Sequence, residues 1–99
     1  MICVVAAIET LPGRRDELLA TFHALVPTVR AEKGCIEYAP MTDAANPMTT
    51  IRENTVTVVE KWESLAALNA HLQTPHMVGF FEQTKPLQAG MTLQILQPA

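Results

Sequence analysis

An α+β fold, a two-layer sandwich of ferredoxin-like type, is what this 99-residue sequence predicts. Two observations carry that reading and a third extends it to a dimer. Strand-like and helix-like segments follow in the order strand, helix, strand, strand, helix pair, strand. Helices that all return to one face of a small antiparallel sheet make a two-layer sandwich. The opposite sheet face carries Val and Leu with no helix left to cover it, so a second copy, packed sheet to sheet, is its natural cover. Composition points the same way: 48% of residues are hydrophobic and 17% charged, and so small a chain buries only a limited fraction of its surface alone.

Each element has its own signal. Ile2 to Ile8 is a run of β-branched and small apolar residues, read as a strand buried on both faces. Leu11-Pro12-Gly13 interrupts it. From Arg14 to Ala31, Leu18, Phe22, Leu25, Val26 and Val29 recur at spacings of three and four and form one apolar helical stripe. Pro27 lies inside that stripe and is expected to bend it, and Gly34 ends the segment. Cys35 to Met41 is a short strand stopped by the turn formers of TDAANP. In the strand Thr55 to Trp62, Val56, Val58, Glu60 and Trp62 share one face. Ser64 caps a helix from Leu65 to about Gln73. Thr74 caps another that starts with Pro75 and runs towards Thr84. Met91 to Leu96 alternates as a last strand.

Composition also narrows the function classes. Ten acids against seven bases give a net charge of −3 with no basic run, a poor match to nucleic acid or an anionic membrane surface. Cys3 and Cys35 lack metal-site or CxxC spacing and read as buried free thiols of a reducing compartment. The N-terminal segment lacks the basic start of a signal peptide, and no apolar run is long enough to span a bilayer. A cytoplasmic, soluble single domain over residues 1–99 is the expectation, with no metal cluster, dinucleotide fingerprint or P-loop.

Three stretches, PGRRDELLATF, EKGCIEY and VVEKWESLAALNAHLQTPHMVGFF, resemble the antibiotic biosynthesis monooxygenase family of dimeric α+β barrels across nearly the whole chain. Gly34 to Tyr38 is similar to that family's second strand. Glu60 to Ser64, followed by Ala70-His71-Leu72 and Pro75-His76, is similar to its strand-to-helix signature. The family is chemically mixed, spanning cofactor-free monooxygenases of polycyclic phenols and quinols, haem-degrading enzymes and an isomerase. Against the haem-degrading branch, this chain has Phe81 where the resemblance would place the haem-ligating His, His71 where it would place a Trp, and Ala6 for an Asn. Against the polyketide-anthrone branch, Val58 and Leu68 stand for an Asn and a Tyr, and only Trp62 carries over. The resemblance therefore implies no haem, and the loop from Asp43 to Asn54 is several residues longer than the family's usual connection.

The residues themselves offer a small set of candidates. Trp62 is either a core plug or a flat wall for an aromatic ring, its indole N–H donating to a substrate oxygen. Glu60 points to the same side, where burial requires a partner such as a His opposite. His71 and His76 can move protons near neutral pH, and either could be the base, His76 at a helix N-terminus that favours neutral imidazole. Glu60 would then orient that base. Tyr38, the single Tyr, could donate to a substrate oxygen, Arg52 in the long loop could steer an anionic quinol over the pocket mouth, and His23 reads as a rim residue.

These readings predict cofactor-independent oxidation of a small quinol-like or polyphenolic compound by O2. No flavin, nicotinamide or metal is called for, because an electron-rich phenolate can supply the electrons. Isomerisation by proton transfer in a small carbonyl compound uses the same His and Glu, and a ligand-binding dimer without turnover fits the same composition. The expected partners are a small aromatic substrate and a second copy of the chain.

Overall fold

The computed structural model describes residues 1–99 and consists of a four-stranded antiparallel sheet with helices on one side. The elements are β1 (Ile2–Thr10), α1 (Arg15–Arg30), β2 (Cys35–Met41), β3 (Thr55–Trp62), α2 (Leu65–Leu72), α3 (Pro75–Thr84), a single 3₁₀ turn (Lys85–Leu87) and β4 (Gln88–Leu96). Strand order is β2-β3-β1-β4, the ferredoxin-like arrangement expected from the element order. No helix is long and apolar enough to cross a membrane.

Register decides which side chains meet. Ile2 pairs with Trp62, Val4 with Glu60, Ala6 with Val58 and Ile8 with Val56, while Tyr38 pairs with Glu60 from the other side. With alternate residues pointing to one side, these side chains share the helix-facing side of the sheet. Leu18, Phe22, Val26 and Val29 of α1, Leu68 of α2 and Met77 and Phe80 of α3 close over them, all buried. α1 runs unbroken through Pro27. Both predicted caps form: Ser64 accepts from the Ala67 N–H and Thr74 from the Met77 N–H.

Two expectations change. The first strand is not buried on both faces; Ile2, Val4, Ala6 and Ile8 are covered, whereas Cys3, Val5 and Ala7 on the opposite face are only half-buried, because no helix packs there. The last strand begins at Gln88, three residues before Met91, and pairs with β1 through a register shift between Glu9 and Thr10. It is an edge strand, and its helix-side row Met91, Leu93 and Ile95 remains about half exposed.

The turn between α1 and β2 matters for the site. Gly34 sits at φ +86°, a conformation that strains any L side chain, and a Cβ there would lie 2.6 Å from the Cβ of Ala67. That close approach brings the turn against α2, and the Gly34 carbonyl accepts from the Glu63 N–H at 2.9 Å. Glu32 rides on this turn.

Candidate active site

Three elements converge at one end of the core. β3 projects Glu60 and Trp62 inward, α2 ends with His71 in its last turn, and the turn after α1 delivers Glu32. The Trp62 indole N–H donates to Oε1 of Glu60 at 2.9 Å, and the Trp62 ring lies 4.5 Å, centre to centre, from the His71 imidazole. The edge of Tyr38 meets the same imidazole at 5.7 Å. Nε2 of His71 faces Oε1 of Glu60 at 3.9 Å, a neighbour but too far for a hydrogen bond. Nδ1 of His71 lies 2.8 Å from Oε2 of Glu32, and Nε2 of His76 reaches the same oxygen at 2.8 Å.

The tautomer follows from these partners. A carboxylate oxygen only accepts, so His71 carries its proton on Nδ1 and donates it to Glu32, leaving a lone pair on Nε2. Burial lowers the His71 pKa, an effect the Glu32 carboxylate partly opposes. Burial also raises Glu60 to about 6, against the Trp62 hydrogen bond and with some help from the Glu32 charge. Burial, with Glu60 and Glu32 nearby, holds the Tyr38 phenol protonated well above its usual range. The site therefore combines a neutral imidazole with a lone pair not engaged in a hydrogen bond, a carboxyl poised near neutrality and a phenol that keeps its proton.

A small cavity of about 100 Å³, partly open to solvent, adjoins this group. Fourteen of its sixteen lining residues are hydrophobic, and the remaining two are Glu60 and His71. Tyr38, Phe22, Met77 and Phe80 form its inner walls, with Leu72, Phe81, Met91, Leu93 and Ile95 lining it where they stay about half exposed. Its lining, apolar except for Glu60 and His71, suits a flat apolar ligand with one polar edge.

The predicted residues fare differently. Glu60, His71 and Tyr38 come together at the cavity. Trp62 is fully buried and absent from the lining; its ring packs on His71 and its N–H holds Glu60, so it supports these two side chains instead of forming a wall. Glu60 does not hold the His71 imidazole, since its oxygen stands 3.9 Å away while Glu32 makes the 2.8 Å contact. His76 is not at the cavity; it points to Glu32 and borders a shallow groove with Thr21, Gly79 and Gln83. Arg52 is held by Asp43 in two short contacts of 2.8 and 2.9 Å on the exposed loop, and no residue of 42–54 lines the cavity. The long loop folds onto itself because the Asp43 carboxylate captures the guanidinium.

Glu32 escaped the sequence reading. Its signal was faint but physical: an acidic side chain just past the end of α1 sits where the helix dipole disfavours negative charge, unless another group compensates it. Together Glu32, His71 and His76 are also the one grouping in the molecule with three metal-type donors close together.

Raising the Glu60 pKa has a measurable cost. With a folded value near 6 against an ordinary 4.5, the native state holds the proton more tightly than the unfolded chain. Its contribution is favourable below pH 4.5 and is lost as pH rises through 6. Glu60→Gln, which can still accept from Trp62, is expected to stabilise the protein at pH 8 by about 1–2 kcal/mol and to flatten that loss. Urea titrations at acidic and alkaline pH check this; an unchanged pH profile in the variant contradicts it.

The fold and this site define a class: a ferredoxin-like α+β protein whose apolar cavity ends in a buried carboxyl and imidazole. The family model for antibiotic biosynthesis monooxygenases matches residues 1–83, and the chain belongs to that family. It is 43% identical to the protein named "Probable quinol monooxygenase YgiN" of Escherichia coli, covering 99% of this chain and 98% of that one. It is 34% identical to YcnE of Bacillus subtilis, which carries a monooxygenase name, over 88% of this chain and 85% of that one. Among solved structures, PA3566 from Pseudomonas aeruginosa superposes with a TM-score of 0.84 at 26% identity, covering 99% of this chain and 93% of that one.

Proposed function

We propose that this protein is a cofactor-independent monooxygenase that oxidises a small quinol-like or polyphenolic aromatic with O2. The observation that carries the proposal is that His71 and Glu60 are the two polar side chains lining an apolar cavity, with Nδ1 of His71 fixed by Glu32 at 2.8 Å and Nε2 left without a hydrogen bond. The "quinol" in the name of the Escherichia coli relative agrees with a substrate of this shape.

The residues support the following course. The aromatic body lies among Phe22, Phe80 and Met77 with one hydroxyl at the polar end. Nε2 of His71 takes the hydroxyl proton, and Glu32 stabilises the imidazolium that forms. The phenolate, poorly solvated among apolar walls, passes one electron to O2, and the substrate radical and superoxide recombine to a peroxide on a ring carbon. His71 returns its proton to the peroxide. The ring C–H is then lost as a proton while the O–O bond breaks, forming the new carbonyl. The protonated fraction of Glu60 donates to the departing hydroxide and is reprotonated by the proton released from the ring carbon. For a simple quinol the balance is quinol plus O2 giving hydroxyquinone plus water, so the substrate supplies both electrons and hydrogens.

Oxygen consumption with a panel of mono- and bicyclic quinols, corrected for autoxidation, tests the proposal. Enzyme-dependent uptake of one O2 per hydroxyquinone formed is expected. No uptake across the panel, with enzyme-dependent deuterium exchange into a small carbonyl compound, would replace it with isomerisation.

A homodimer belongs to the same proposal. The bare sheet face and the half-exposed Met91, Leu93 and Ile95 row at the cavity are surfaces a second copy would cover, giving the dimeric α+β barrel. Sedimentation equilibrium at micromolar concentration should return about twice 10.9 kDa; a monomer speaks against it. The free thiols Cys3 and Cys35 fit work in a reducing cytoplasm.

A further inference from the structure

We propose that Glu32, His71 and His76 form a binding site for one divalent transition-metal ion of the zinc type. Three separate elements supply the donors: the turn after α1, the last turn of α2 and the first turn of α3. One ligand atom from each residue falls within 4.8 Å of the others, and two of the three separations are already 2.8 Å. Zinc bonds to imidazole nitrogen and carboxylate oxygen are about 2.0–2.2 Å. Donors placed tetrahedrally around such an ion stand roughly 3.3 Å apart, so small side-chain movements open the group to admit it.

The donor set is that of open metal sites, with two imidazoles and one carboxylate leaving positions for water. Access is graded in the right sense. The His71 side chain is 1% exposed and that of Glu32 13%, whereas that of His76 is 27% exposed, so an ion enters past His76 and finds two ligands already held in place.

A second, independent feature points to the same ion. Metal-bound histidines generally donate their other ring N–H to a carboxylate, and such a carboxylate stands beside His71. Oε1 of Glu60 lies 3.9 Å from Nε2 of His71 and is fixed by the Trp62 N–H at 2.9 Å. Without metal, Nδ1 holds the ring proton and Nε2 offers Glu60 only a lone pair, which accounts for the long separation. A metal on Nδ1 moves that proton to Nε2, where it can donate to Glu60. The neutral His71 ring need release no proton; its proton only changes nitrogen.

This inference is independent of the proposed oxygenase chemistry, but it has a consequence for it. With metal on Nδ1, His71 presents an N–H to the cavity in place of a lone pair, so metal binding and substrate deprotonation exclude one another. Zinc would act as an inhibitor at the back of the site.

Calorimetric titration of metal-free protein with zinc in a non-coordinating buffer tests the site. One ion per chain with a micromolar or tighter Kd is expected, weakened at least ten-fold by His76→Ala and by Glu32→Gln. His76 is partly exposed, so its variant retains the fold, which circular dichroism verifies. Nitrogen-15 spectra of the imidazoles should show the His71 proton moving from Nδ1 to Nε2 on loading. Absence of saturable binding up to about a hundred micromolar zinc overturns the inference. So does binding undiminished in both variants, which would put the ion on the cysteines or His23.

Discussion

Replacing His71 by Asn is expected to lower turnover of a responsive quinol by about 10²-fold or more, the range associated with a positioned proton-transfer group. Asn is chosen because its amide N–H can still donate towards Glu32 while nothing replaces the Nε2 lone pair. The buried carboxylate then keeps a partner, and the loss falls on kcat more than on folding. His71→Ala is a blunter test, since it also opens a void at a fully buried position and strands Glu32. Steady-state kinetics beside a denaturation curve separate the two effects. If His71→Asn turns over at the parent rate, the lone pair is not the base.

Trp62→Phe is expected to cost about 2–4 kcal/mol of stability, the largest effect of any conservative change at this site. The ring is fully buried, so the smaller benzene leaves space beside His71. Its N–H is the one hydrogen bond made to the Glu60 side chain, so its loss leaves a buried carboxyl without a donor and pushes the Glu60 pKa further up. Chemical denaturation measures the first effect. A variant as stable as the parent would mean that the indole is not the support the geometry describes, and that another donor reaches Glu60.

Much of the architecture was written locally. The helix-period stripe from Leu18 to Val29, the Ser64 and Thr74 caps and the two-residue alternation of β3 each depend on neighbours in sequence, and each formed. The same locality placed Glu60, Trp62 and His71 on facing surfaces, because β3 and α2 are joined by only Glu63 and Ser64. What escaped was non-local. Glu32 meets His71 and His76 only through the Gly34 turn packing on Ala67, and no spacing rule joins residues so far apart. Arg52 departs from its expected place for the opposite reason: its partner Asp43 is near in sequence, but a loop without periodicity gives no direction to either. Sequence alone leaves Trp62 open between core and wall; in the fold it is core, and its N–H holds the Glu60 carboxyl in place.

The position of β1 in the sheet has a kinetic side. β1 is one of the two central strands, and both its partners, β3 and β4, come from the second half of this sequence, with Cys3 finally opposite Leu96. On the ribosome this apolar strand must wait for β3 until more than half of the sequence has emerged, and its other edge must wait for β4 until nearly all of it has. Contacts of such long range slow folding, and an exposed stretch as β-prone as Ile2 to Ile8 invites wrong pairings meanwhile. The nascent chain is therefore a natural client for chaperones that hold extended apolar segments, and refolding yield in vitro should fall steeply as protein concentration rises.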